Sequence, residues 1–350
     1  MRSALATLLL IGISTLAAFA AAPLGLPLPY LLGPLIASAT ICLAAKPILP
    51  DDFAYLPGLR FAFIAVIGVM IGAQVTPDLF ANTRHLLLSF GALIVFVCVA
   101  ITFNYSVFRK VGRYDRPTAF YSSMPGGLYE SIAFGDEAGA DPARLMLQQF
   151  LRVIVVVTVV PIGLSLWLGE AVGSAGGMTL AKPDVPWSSL PIVALAILGG
   201  IGLGVLLRLP ARQLTGPMAM GAALSLSGVI DLDIPQWLVN LALIIVGTAL
   251  GTRFNGITVQ QVVQGMGLAL LSVGGMLILA AGLAVGLSHQ TGQGFDMMLI
   301  SFAPGGVTEM TLVALSLTGT PAIVTLHHIA RILITVGVLV ISSKWMRRRF

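Results

Sequence analysis

The residues of this chain most able to do chemistry occur as two matched sets. Pro125-Gly126-Gly127 is followed three residues on by Glu130, and Pro304-Gly305-Gly306 is followed at the same interval by Glu309. Further along stand Arg152 and Arg331, each with a polar residue four positions earlier, Gln148 and His327. Pro-Gly-Gly stops a helix. A helix restarting at the second glycine presents backbone N–H groups that have no intrahelical acceptor, a place where an anion or a polar ligand can bind. Each glutamate then falls at the third helical position. There it can fold back on the starting backbone as a cap, or it can hold a cation or a solute. Arginine cannot neutralise itself, so Arg152 and Arg331 each need a carboxylate, an anionic ligand or water. One reading is a pair of structural clamps, Glu130–Arg152 and Glu309–Arg331. The other is a substrate or ion site built from Gly126, Gly127, Glu130, Gln148 and Arg152 together with Gly305, Gly306, Glu309, His327 and Arg331, and the duplicate placement favours it. Spacing of i,i+4 puts Gln148 on the Arg152 face and His327 on the Arg331 face, with Gln149 and His328 turned about 100° away.

The surroundings of these residues are apolar. Of 350 residues, 57% are hydrophobic and 9% charged, with a mean hydropathy of +0.98, whereas soluble domains carry about 25% charge. A soluble fold is excluded. Apolar runs lie near 4–22, 30–45, 58–75, 86–108, 142–168, 188–207, 213–230, 236–251, 262–288 and 321–342, of a length suited to crossing a hydrocarbon layer about 30 Å thick. They are continuous rather than alternating, which excludes a β-barrel. The first run follows Arg2 and ends in a signal-peptide-like Ala18-Phe19-Ala20, but its length favours a retained span. The two Pro-Gly-Gly segments, about 115–138 and 296–317, are apolar and broken in the middle.

The net charge of +5 comes from basic residues in short loops, which is a topology signal and not a nucleic-acid footprint. Cys42 and Cys98 both fall in apolar runs and read as packing residues. His327 and His328 diverge on a helix, and His85 and His289 read as loop residues, so no metal site is expected. No Ser–His pair, cysteine nucleophile or metal cluster can be placed, so the chain is expected not to be an enzyme and to need no cofactor.

The two sets belong to a longer repeat. Leu26-Pro27 and Gly33-Pro34 correspond to Leu209-Pro210 and Gly216-Pro217 at an offset of 183. Gly68 and Gly72 correspond to Gly247 and Gly251 at 179, and that offset holds from Ser123/Phe302 to Arg152/Arg331. The expected organisation is a first repeat at 1–168, a linker at 169–187, a second repeat at 188–343 and a basic cytoplasmic tail at 344–350. Repeats with interrupted helices at corresponding positions point to a secondary transporter whose site lies near the membrane midplane.

Basic residues decide how the broken segments sit. If both are re-entrant, Arg144, Arg208, Arg212 and Arg253 lie inside and Lys182 outside, giving fifteen basic loop residues in and two out. If both cross, twelve lie inside and five outside. The positive-inside rule prefers the re-entrant arrangement. The expected fold is therefore an all-α polytopic membrane protein of two inverted repeats, each of five spans plus one Pro-Gly-Gly hairpin, with both termini cytoplasmic.

The duplicated Pro-Gly-Gly-x-x-Glu, the arginine in the following span and the run Leu31-Leu32-Gly33-Pro34 resemble the bacterial AbrB-type membrane protein family over nearly the whole chain. The resemblance implies a duplicated membrane protein. Members carry labels such as ammonia monooxygenase or AbrB family transcriptional regulator. The first needs copper or iron ligands that four scattered histidines do not supply, and the second needs a soluble DNA-binding segment outside the apolar runs. Taken together, the residues predict a transporter of a small polar or anionic solute, coupled to H+ or Na+, in a bacterial inner membrane, without nucleic acid and compatible with a homo-oligomer. The alternative is a membrane sensor that binds the same ligand without moving it; an intramembrane enzyme is third. In the re-entrant arrangement a cysteine placed at Ser174 labels from the periplasm and one at Ala140 only from the cytoplasm; the reverse pattern would remove the inversion.

Overall fold

The computed structural model of the protein describes residues 2–44, 53–75, 83–169, 185, 189–209, 211–228, 232–315 and 321–346. Most of the linker expected at 169–187 and the end of the tail expected at 344–350 lie outside the described residues. The described chain is all-α, with no strand. Its helices are α1 (Arg2–Ala21), α2 (Pro29–Ala44), α3 (Pro57–Ala73), α4 (Thr83–Ser106), α5 (Arg116–Ser122), α6 (Leu128–Glu137) and α7 (Pro142–Leu168). They continue as α8 (Leu190–Leu206), α9 (Arg212–Ser227), α10 (Gln236–Gly251), α11 (Val259–Thr291), α12 (Phe295–Phe302), α13 (Val307–Leu315) and α14 (Pro321–Met346). Each of the ten apolar runs forms one helix. Six of them, α1, α4, α7, α10, α11 and α14, are long and apolar enough to cross a membrane by length and composition. Each Pro-Gly-Gly lies between two short helices, α5 and α6 or α12 and α13.

Two compact units each draw helices from both halves of the chain. The first comprises α1, α2, α3, α8, α9 and α10; the second comprises α4, α5, α6, α7 up to Val160, α11, α12 and α14 from Ile323. The boundary within α7 falls at Pro161, inside the helix, and α13 divides after Met310.

Close backbone approach holds the first unit together. A Cβ built on Gly68 of α3 would stand 2.5 Å from the Leu214 carbonyl oxygen of α9, and one on Gly247 of α10 would stand 2.4 Å from the Leu31 oxygen of α2. At Gly72 the obstruction is the Met218 oxygen, and at Gly251 it is the Ser38 hydroxyl and then the Leu35 oxygen at 2.5 Å. In lipid, where no hydrophobic difference drives helices together, such small-residue seams let backbones meet and gain dispersion contact. Pro34 and Pro217, each inside its helix, lie against these seams: their Cβ atoms stand 3.2 Å from the position built on Gly247 and 3.1 Å from that on Gly68.

Within the second unit, Phe103 of α4 fills the notch left by Gly275 of α11, and Phe96 of α4 packs edge-on to Phe302 of α12 at 5.9 Å. Tyr121, Met124, Ala140, Leu145 and Leu339 form a buried cluster around the first Pro-Gly-Gly. Some single-residue expectations are corrected. Cys42 is buried but Cys98 is exposed on α4, because it faces outward on a helix that is apolar on all sides. His85 and His289 lie within the ends of α4 and α11 rather than in loops. Ala140 is buried, so exposed Asp136 nearby is the better position for the labelling test.

Gly72→Ala and Gly251→Ala press a methyl group into fixed backbone and are expected to cost about 1–3 kcal/mol. Gly202→Ala in α8 meets nothing within 4 Å and is expected to leave stability unchanged or raise it by up to about 1 kcal/mol. Thermal unfolding in detergent measures all three.

Candidate functional site

Breaking a helix inside an apolar unit strands its last carbonyl oxygens, and each must find a donor. At the first Pro-Gly-Gly, those donors come from α4 and α7. Asn104 donates to the Ser123 oxygen at 3.4 Å, held by its own oxygen accepting from Ser272 at 2.8 Å. Gln149 Nε2 donates to the Tyr121 oxygen at 3.1 Å and the Ser122 oxygen at 3.4 Å. Arg152, 6% exposed, donates through Nη1 to the Met124 oxygen, the carbonyl immediately before Pro125.

At the second Pro-Gly-Gly the donors come from α14 at corresponding positions. His328 Nε2 lies 3.0 Å from the Ile300 oxygen. Arg331, 1% exposed, reaches the Ala303 oxygen through Nη1 and the Gly305 oxygen through Nη2, both at 2.5 Å. Its Nη2 also contacts His328 Nδ1 at 2.7 Å. Ile300 and Ala303 stand 179 residues after Tyr121 and Met124, as His328 and Arg331 stand after Gln149 and Arg152. A guanidinium only donates, so His328 Nδ1 is the acceptor and Nε2 carries the hydrogen that goes to Ile300. His328 is thus a neutral imidazole with its tautomer fixed by its two partners.

The helices restart in the same way on both sides. Ser131 N–H donates to the Gly127 oxygen at 2.7 Å and Met310 N–H to the Gly306 oxygen at 3.0 Å, so both glycines are N-caps. Gly127 takes φ +61°, a left-handed conformation that glycine adopts without strain. Glu130 and Glu309 stand third in their helices and fold back. Glu309 Oε2 lies 2.0 Å from where a Cβ on Gly306 would be, and Glu130 Oε2 lies 3.3 Å from the corresponding point on Gly127. Negative charge is thereby placed at the N-termini of α6 and α13, and positive charge at the C-termini of α5 and α12, each where the helix dipole favours it. Further out, Asp115 caps α5 through Thr118 N–H at 2.9 Å. Burial opposes its charge, but the Thr118 hydrogen bonds outweigh this and hold its pKa below the ordinary carboxylate value.

The two turns come together at Arg331. A Cβ built on Gly126 would lie 3.2 Å from Thr335 Oγ1 and 3.7 Å from Arg331 Cγ, so Arg331 lies against the first turn while it binds Gly305 in the second. Arg152 is near enough for the two guanidinium charges to act on each other. Arg331 Nε is buried with no partner among the described residues.

Gly126, Gly127, Arg152, Gly305, Gly306, Glu309 and Arg331 are therefore grouped at the two turns, with Glu130 at the first helix start. Gln148 and His327 make no bond to either turn, contrary to their expected place in the site. Gln148 donates to Tyr114 Oη at 3.1 Å and the Gly265 oxygen at 3.3 Å. His327 Nδ1 lies 2.9 Å from the Ile323 oxygen of its own helix, and its ring packs 4.9 Å from Phe90. The turns lie on the i,i+3 side of each arginine, so Gln149 and His328 take the places expected for their neighbours. The Glu309–Arg331 clamp is not formed, because the guanidinium is spent on carbonyls and the carboxylate on its own helix start. Asn104 was not legible as a partner; one lone asparagine in an apolar run was the available signal.

Described residues that are all-α, with six helices of membrane-crossing length and two pairs of short helices meeting at Pro-Gly-Gly, mark a multi-pass membrane-type protein. The chain belongs to the AbrB family, described as transition state regulatory protein AbrB, which matches residues 41–347. A protein of Escherichia coli (strain K12), named as a proposed regulator AbrB, is 26% identical over 292 residues, 83% of this chain and 81% of that protein. YhjN of Bacillus subtilis (strain 168) is 24% identical over 94% of this chain and 90% of its own length.

Arg331→Met should leave the Ala303 and Gly305 oxygens without their donor, at about 1–3 kcal/mol for each buried acceptor. His327→Phe, which removes no bond to either turn, should cost less. Their unfolding midpoints in detergent compare the two directly.

Proposed function

We propose that this chain is a secondary transporter of a small anionic or polar solute, coupled to H+ or Na+, in a bacterial inner membrane with both termini cytoplasmic. Its halves are inverted repeats, each of five spans and one re-entrant Pro-Gly-Gly hairpin. The observation that carries the reading is Arg331, a buried guanidinium bound to one turn and packed against the other, with Arg152 nearby. Two positive charges placed together away from water are costly unless an anion joins them. Carbonyl oxygens only partly compensate Arg331, whose Nε is buried without a partner among the described residues, and a carboxylate or similar group offers the planar, bidentate partner that guanidinium prefers. A solute entering between the turns competes with Ala303 and Gly305 for Arg331, so its binding is linked to movement of the hairpin. The matched donor pairs at an offset of 179 support a duplicated origin, and the gathering of both turns in one unit supports a single shared site.

A second reading is a sensor that binds the same solute without translocating it, favoured by the family's description and the Escherichia coli relative's name as regulators. Counterflow of a panel of radiolabelled mono- and dicarboxylates into proteoliposomes separates the two. Exchange by the native chain, lost in Arg331→Met and partly kept in Arg331→Lys, supports the transporter. Saturable binding without exchange supports the sensor.

A further inference from the structure

We propose that the solute carries a neutral hydroxyl beside its acid group and that His327 Nε2 is the acceptor that selects it, so that the substrate class is a hydroxycarboxylate. The inference rests on the reading of Arg331 as the anion-binding group. Its starting point is a buried hydrogen-bond acceptor left open. His327 is 0% exposed, and its Nδ1 lies 2.9 Å from the Ile323 oxygen. A carbonyl only accepts, so Nδ1 carries the ring hydrogen. Away from water and beside a guanidinium the ring is neutral, which leaves Nε2 as a bare lone pair. That atom has no partner among the described residues. Phe90 and Phe302 flank the ring at 4.9 and 6.0 Å, and neither side chain has an N–H or O–H to give.

A buried acceptor without a donor is costly and rare, and the first half repeats it. Gln148, 179 residues earlier, spends Nε2 on Tyr114 Oη and the Gly265 oxygen and leaves Oε1 buried with no partner among the described residues. Each half therefore presents one open acceptor a helical turn before its arginine. Packing alone gives no reason for the same omission at matched positions. On α14 the open acceptor also accompanies an open donor, because Arg331 Nε is buried without a partner as well. Spacing of i,i+4 sets the two side chains next to each other, and the guanidinium is near enough to act on the His327 ring. A molecule that satisfies both atoms has an anionic oxygen for Nε–H and a hydrogen for Nε2, and it breaks no bond between Arg331 and the turn. An ammonium group can donate but sets a second positive charge beside Arg331. A hydroxyl supplies the hydrogen without the charge.

The test measures binding and does not presuppose translocation. Propionate, lactate and alanine differ at one carbon only in hydrogen, hydroxyl or ammonium, and succinate, malate and aspartate form the same series with a second carboxylate. Isothermal titration of the purified native protein in detergent gives the dissociation constant of each. In at least one series the hydroxy acid should bind about tenfold or more tightly than both of its analogues, because a site built to bond a hydroxyl leaves its own acceptor unpaired with the others. His327→Phe keeps a flat ring without the acceptor and should reduce that preference to about twofold or less, whereas His327→Gln, whose Oε1 accepts, should keep part of it. Equal binding within both series, the result if water alone meets Nε2, overturns the proposal. So does tighter binding of the amino acid, binding of none of the six, or a preference that persists in His327→Phe. If His327→Phe does not fold, the ranking in the native protein decides. A hydroxy acid that binds with this ranking but does not exchange in counterflow defeats the transporter and leaves the ligand class standing; exchange of carboxylates without a hydroxyl preference does the reverse.

Discussion

A helix that ends inside an apolar environment leaves carbonyl oxygens facing a medium that cannot donate to them, and satisfying those oxygens is the constraint from which this protein's polar interior follows. Met124 and Ala303, the last residues before each Pro-Gly-Gly, are served by Arg152 and Arg331. Tyr121 and Ile300, one turn earlier, are served by Gln149 and His328. The buried arginines are thus the C-terminal caps of short helices as well as charges available to a ligand. The two roles draw on the same donors and cannot be fully exercised together. That competition gives a site of this kind something to switch between.

The carboxylates are the complement. Glu130 and Glu309 fold onto the glycines that start α6 and α13, so each interruption carries positive charge on the side where a helix stops and negative charge on the side where one begins. Helix dipoles and backbone groups thus offset part of each charge without a Glu309–Arg331 ion pair. The division into two compact units fits it. One unit is held by glycine seams, with Ser38 against Gly251 and Ser225 bonded to the Ala73 oxygen; the other holds both Pro-Gly-Gly turns and the side chains that bond them.

Much of this was legible in the sequence because hydropathy and helix breakers are one-dimensional signals. Ten apolar runs gave ten helices among the described residues, and each Pro-Gly-Gly lies between two short ones. Gly68 and Gly247, singled out by spacing alone, prove to be points of backbone contact. What was not legible was rotation about helix axes. Gln148 and Gln149 are adjacent in sequence, yet one reaches Gly265 and the other Tyr121, and periodicity narrows the choice only to a face about 100° wide. The Glu309–Arg331 clamp, one of two readings the sequence left open, does not form for a related reason. Opposite charges invite pairing in a sequence, whereas in the fold the guanidinium meets unsatisfied backbone first. Asn104 lay hidden because its importance depends wholly on the oxygen it meets.

The glycine seams also bear on how the chain is made. Gly68 of α3 packs on Leu214 of α9, 146 residues further along, and at about 5–20 residues per second that partner is made roughly 7–30 s after α3. Throughout that interval the small-residue groove of α3 is without its α9 partner, while α4 to α8 are made. The nascent first half is therefore an assembly intermediate with an exposed backbone strip.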